Sequence, residues 1–261
     1  MKPVLPMTLL TLFVNLSGCA KDYSLAPPPD SEQITVTVKV PKELEAETMN
    51  VMYRSSICKR ITRGASGQRI ELDGYHGIDV QPQPQRQGQG QSDLYEAKLP
   101  IDGGGKCQWR LSNVTFGVAY ANPTRFGESV GYGGGGGIIV IFDNNNSPQG
   151  GADFKVGGDL TIKKDYYPWL SEIFLGGYRK YISLAGEGTI YLKYRALQAR
   201  QVYFEPALHS DFMVSSEGTK VHKVGSFISF TYPDGSVVAD GRSKPNFRKL
   251  QAIRLATEGK Q

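Results

Sequence analysis

The sequence predicts a mainly β protein, built as one or two antiparallel β-sandwich-like domains with few short helices. Three observations predict it. Several short segments alternate apolar and polar residues with a period of two, Ile34 to Val40 and Leu94 to Pro100 most plainly. Tyr, Thr, Val and Gly recur in short runs, and 31 of the 261 residues are glycine, a usage that favours strands and turns over helices. Ile138 to Phe142 is a brief unbroken apolar run, the pattern of a strand buried on both faces.

Taken in order, residues 1–18 read as a secretory leader. Lys2 supplies the positive end, and Val4 to Val14 is mostly apolar but too short to span a bilayer. Leu16-Ser17-Gly18-Cys19 resembles the lipobox of bacterial lipoproteins, which implies cleavage before Cys19 and acylation of that cysteine. Several acyl chains anchor a protein stably. Ala20 follows, rather than Asp, which resembles an outer-membrane address with the chain facing the periplasm. Residues 19–32, with Pro27-Pro28-Pro29, read as a lipidated cysteine and a stiff tether holding the domain off the membrane.

A β domain over 33–122 and a second β-rich domain over 123–261 are expected. Ile34 to Val40 is the clearest strand, ended by Pro41. Glu43 to Met52 is a helical turn or a strand leading into Tyr53 to Cys58. Gln81 to Ser92 is low in complexity and reads as a loop. Leu94 to Pro100 resumes alternation, Asp102 to Gly105 reads as a turn, and Cys107 to Val118 follows as a long strand. Its apolar phase shifts at Ser112-Asn113, which predicts a bulge. Further strands are expected over 159–163, 189–195, 224–232 and 235–239. Pro168 to Leu175 reads as a short helix, Tyr232 to Gly235 as a hairpin turn, and Arg248 to Lys260 has helical spacing.

With Cys19 lipidated, Cys58 and Cys107 remain. An even count in an oxidising compartment points to one disulfide, two free buried thiols being the other reading. Formal net charge is +5, a mild excess that fits anionic lipid or an acidic partner and is too diffuse for nucleic acid.

No cofactor or metal site is expected: the histidines have no ligand spacing, and Asp143 to Ser147 lacks the glycine and glutamate of a calcium loop. Gly127 to Gly131 matches G-x-S-x-G around Ser129, with His209 or His222 and Asp165 or Asp211 downstream. A glycine tract follows where that motif needs a helix, so a glycine-rich loop is the expected reading and no catalytic residue is assigned. Binding chemistry is instead expected where Tyr and Trp mix with basic residues: Tyr166, Tyr167, Trp169, Tyr178, Arg179 and Tyr181, with the 81–92 loop second.

The lipobox, Tyr53-Arg54-Ser55-x-x-Cys58 and Gly103-Gly104-Gly105-Lys106-Cys107-x-Trp109 together resemble enterobacterial immunity lipoproteins that accompany type VI secretion lipase effectors. The resemblance covers the anchor and mainly the first half. It implies a periplasm-facing protein that binds a phospholipase effector and blocks its toxicity, with no catalytic residues to carry over. A structural or assembly lipoprotein of the envelope and a Ser129 esterase are the competing readings.

Overall fold

A computed structural model of the chain describes residues 23–85, 92–188, 190–221 and 223–259. The leader, Cys19, residues 86–91 of the low-complexity loop and His222 lie outside the described residues. In chain order the strands are β1 (Gln33–Lys39), β2 (Leu44–Ala46), β3 (Met49–Arg63), β4 (Arg69–Val80), β5 (Gln83–Pro84), β6 (Leu94–Pro100) and β7 (Asp102–Gly104). Then come β8 (Trp109–Phe116), β9 (Val118–Tyr120), β10 (Val130–Tyr132), β11 (Gly137–Ile141), β12 (Phe154–Lys155) and β13 (Leu160–Ile173). The last are β14 (Arg179–Ala185), β15 (Tyr191–Arg195), β16 (Gln201–Leu208), β17 (Val214–Glu217), β18 (Ser229–Thr231) and β19 (Val237–Val238), closed by helix α1 (Phe247–Glu258).

Two sheets face each other. One runs β19-β18-β17-β13-β16-β1-β6-β5, with β14 on the other edge of β13 and β10 beyond it. The other runs β12-β15-β11-β8-β3-β4, with β7 on β8. Val36, Val38, Leu99, Ile162 and Phe204 from the first sheet share one core with Val51, Tyr53, Val114, Phe116 and Val140 from the second. Alternation supplies this core: in β1 each of Ile34, Val36 and Val38 is buried and its neighbours are not. The mainly β, sandwich-like class is as expected.

Strand direction is not. The sheets are mixed: β16 runs parallel to both β1 and β13, and β11 parallel to β15, beside antiparallel pairs such as β3 with β4 and β1 with β6. Parallel pairs join strands far apart in sequence, and here the parallel β1–β16 pair and the antiparallel β8–β11 pair stitch the two halves of the chain together. Residues on both sides of 122/123 lie in both sheets and in one core, so that boundary does not separate two cores.

The bulge falls where the phase shift predicts it: Met52 stands opposite Asn113 and Tyr53 opposite Leu111, leaving Ser112 as the extra residue. Pro168 to Ile173, expected as part of a helix, instead continues β13. Pro168, which has no N–H to give, falls between Tyr166, the last residue paired with β16, and Trp169, the first paired with β17. Within 224–232, 229–231 is strand, and Val224 is fully exposed.

β11 is buried throughout, and two guanidiniums explain its outer cover. Arg54 donates to the Asn146 carbonyl at 2.9 Å and Arg195 to the Asn145 carbonyl at 3.2 Å, drawing the 143–147 turn over that face of the sheet. The glycine tract before β11 has a structural reason of its own. Gly135 has a φ of +106°, and a Cβ there would stand 2.2 Å from the Leu184 carbonyl oxygen.

Candidate partner-binding surface

The feature that departs most from a plain sandwich is a projecting hairpin. β3 has 15 residues and β4 has 12, but their neighbour β8 has 8 and pairs with β3 only over Asn50–Arg54. From Ile57 to Gly74 the two strands therefore pair, among the described residues, with each other alone. The tip closes through Gly64 and Gln68, with Gly67 at a φ of +80°.

The arm is fastened at its base. The Cys58–Cys107 disulfide joins β3 to the turn before β8, with a Cα–Cα distance of 5.3 Å. Ser55 Oγ accepts from the amides of Ile57 at 3.1 Å and Cys58 at 2.9 Å, and donates to the Cys107 carbonyl. The register shifts between Ser55 and Arg60. Gly74 lies against this kink, where a Cβ would meet the Cys58 carbonyl oxygen at 2.0 Å.

Beyond the base the arm has no core to face. Ile57, Ile61 and Tyr75 are 54%, 60% and 54% exposed, and Leu72 is also exposed. The arm carries Lys59, Arg60, Arg63 and Arg69 against Glu71 and Asp73. Lys59 pairs with Asp73 and Arg69 with Glu71, while the Arg60 guanidinium lies 5.1 Å from the Tyr75 ring centre. Exposed apolar side chains thus stand among basic ones along the arm, and Arg63 is in no ion pair among the described residues. The sequence alternation in Arg69–Val80 was the available signal; exposure on both faces was not in it.

Residues 23–26 of the segment expected to be a stiff tether are docked beside this base. Trp109 Nε1 donates to the Tyr23 carbonyl at 3.0 Å, and the Ala26 amide donates to the Gly103 carbonyl at 2.9 Å. Leu25 packs against the main core. Bare glycine backbone at 103–104 permits the approach: a Cβ at Gly104 would stand 2.0 Å from the Ala26 carbonyl oxygen.

The expected tyrosine-rich residues do not form one surface. Tyr166 is buried in the main core and Tyr167 in a second, smaller cluster with Phe230 and Leu250 of α1. Consecutive strand residues point to opposite faces, and both faces of β13 are covered here. Trp169 is half-buried, its Nε1 donating to Ser216 Oγ at 2.8 Å. Tyr181, half-buried on β14, lies against Gly131. Tyr178 and Arg179 are exposed at the β13–β14 turn. The Tyr178 hydroxyl donates to Glu172 at 3.1 Å, and the Lys180 hydrogen bond holds the Glu172 carboxyl below its ordinary range, with Tyr178 adding to it.

Ser129 sits with a φ of +60° on an exposed turn between a 3-10 turn at Pro123–Phe126 and β10, not between a strand and a helix. His209 Nε2 is 2.7 Å from Asp165 Oδ1, but neither is hydrogen-bonded to Ser129. That pair, with the Tyr167 ring stacked on His209 and Arg254 bridging Asp165 and Tyr167, fastens α1 to the sheet. His76 lies on Trp109, with ring centres 5.6 Å apart. Among the described residues no three His, Cys, Asp or Glu side chains are grouped to hold a metal. No protein-family model, curated protein or solved structure matches the chain.

Proposed function

We propose that this chain is an outer-membrane-anchored, periplasm-facing immunity protein that binds a type VI secretion lipase effector and occludes it. The observation that carries the reading is the disulfide-based arm at 57–74, which with the adjoining Tyr75 offers Ile57, Ile61 and Leu72 to a partner at little entropic expense because its base is locked. Chain geometry adds to it. Cys19 precedes the docked Tyr23 by four residues, a reach of at most about 14 Å. A lipid on Cys19 would thus keep the arm's base close to the bilayer, where a lipase works. Occlusion needs no chemistry from the inhibitor; it has only to cover the cleft of the lipase or hold its lid.

The test is a lipase assay with the effector encoded beside this protein, titrated with the full chain. Inhibition at a one-to-one ratio and a complex on size-exclusion chromatography are expected. Ile61→Asp with Tyr75→Ala should weaken binding about 30-fold or more without lowering Tm, since hot-spot losses reach about 2 kcal/mol or more. Cys19→Ser should release the protein from membrane fractions and leave inhibition in vitro intact. No inhibition at micromolar excess, together with no complex, would leave the structural or assembly lipoprotein as the reading.

A further inference from the structure

A cleft of about 800 Å³ lies beside β13, between the glycine tract 133–137, β14 and the first turn of α1. That size is within the range of small-molecule sites. Trp169, Leu184, Ile190 and Leu192 give it an apolar lining.

Its charged side chains are three cations, Arg242, Lys244 and Arg248, and one carboxylate, Glu187. Lys244 and Arg248 line the cleft and, among the described residues, have no carboxylate within ion-pair distance, whereas Arg242 is held by Asp240 at 2.8 Å. Glu187, the carboxylate in the lining, is taken by Lys164 at 2.9 Å. Ser183 also lines the cleft. It is only 6% exposed, and its hydroxyl has no hydrogen-bond partner among the described residues. The hydroxyl oxygen is thus open to the cleft while the rest of the residue is covered. The amides of Gly134, Gly135 and Gly136 likewise donate to no carbonyl of the described chain. The N-terminal end of α1 adds its partial positive charge; Asn246 caps one of its amides, that of Lys249, at 3.3 Å.

We propose that this cleft binds an anionic amphiphile. A phosphate or carboxylate head meets Lys244, Arg248 and the Ser183 hydroxyl, and a short apolar body lies along Trp169 and Leu184. Cations with no counter-ion among the described residues, a hydroxyl open to the cleft and amides without a backbone partner all suit acceptor oxygens, and the apolar lining suits a hydrocarbon beside them. The site is separate from the arm and does not depend on what the arm binds.

Octyl phosphate, inorganic phosphate and octanol are titrated into the purified full chain by calorimetry, with Trp169 emission as a second readout. Octyl phosphate is expected to bind at least tenfold more tightly than either of the others and to shift an emission component that Trp169→Phe removes. Lys244→Glu with Arg248→Glu should weaken octyl phosphate tenfold or more, and Ser183→Ala about threefold, with Tm unchanged. Equal binding of inorganic phosphate would overturn the amphiphile in favour of a free anion. Equal binding of octanol would overturn the anionic head, and unchanged affinity in the double variant would overturn the site.

Discussion

Tyr53 shows how one side chain serves both layers. Its ring is buried between the sheets, and its hydroxyl donates to the Pro100 carbonyl at 2.9 Å. Burial pushes its pKa up to about 12. An unfolded tyrosine ionises near pH 10. The folded group therefore stabilises fully below pH 10, and that contribution is lost as pH rises from 10 towards 12. Tyr53→Phe should cost about 1 kcal/mol at neutral pH, through the lost hydrogen bond. The same variant should unfold with a shallower dependence on pH between 10 and 12 than the wild type. Urea midpoints across that interval check both; parallel pH curves would show that Tyr53 does not titrate as described.

At the scale of elements, the arm and β13 show what strand length does when neighbours differ. β13 is long enough to take three partners, β16, then β17, with β14 on its other edge, and so it joins the main core to the α1 cluster. β3 and β4 are long where β8 is short, and the excess projects. A two-stranded ribbon is marginal in water without support, and here the support is covalent. The cysteines are separated by 49 positions. In the chain-entropy account, closing such a loop stabilises by up to about 4 kcal/mol. Cys58→Ser with Cys107→Ser should lower unfolding stability by an amount up to that figure, and amide exchange in 57–74 should rise more than in β1 or β11. Uniform exchange across all three would mean that the disulfide does not hold the arm.

For the whole molecule the consequence of pairing between the two halves is cooperativity. β1 needs β16, and β8 needs β11, so neither half of the chain can complete a sheet alone. A fragment covering 33–122 should lack a cooperative unfolding transition and give poorly dispersed amide spectra, while the full chain unfolds in one step. A folded 33–122 fragment with native-like dispersion would restore the two-domain division. Much of the fold was legible beforehand. The alternation of β1 and β6, the phase shift at Ser112, the apolar run of β11, the 232–235 turn and the helical tail each follow from local periodicity. The candidate site was not. Tyr166 and Tyr167 have interface-like composition, yet they fill cores, because composition does not record what covers a residue.

The sequence alone determined the mainly β class, the position of the bulge and the cysteine pair available for bonding. These depend on neighbours a few residues away, or on a count. Tertiary structure alone decided strand direction, the merging of the two halves, the docking of 23–26 beside Trp109 and the exposure of the arm. Those depend on where distant strands stop. Ile61 and Val51 lie on the same strand, one exposed and one buried, because β8 ends between them.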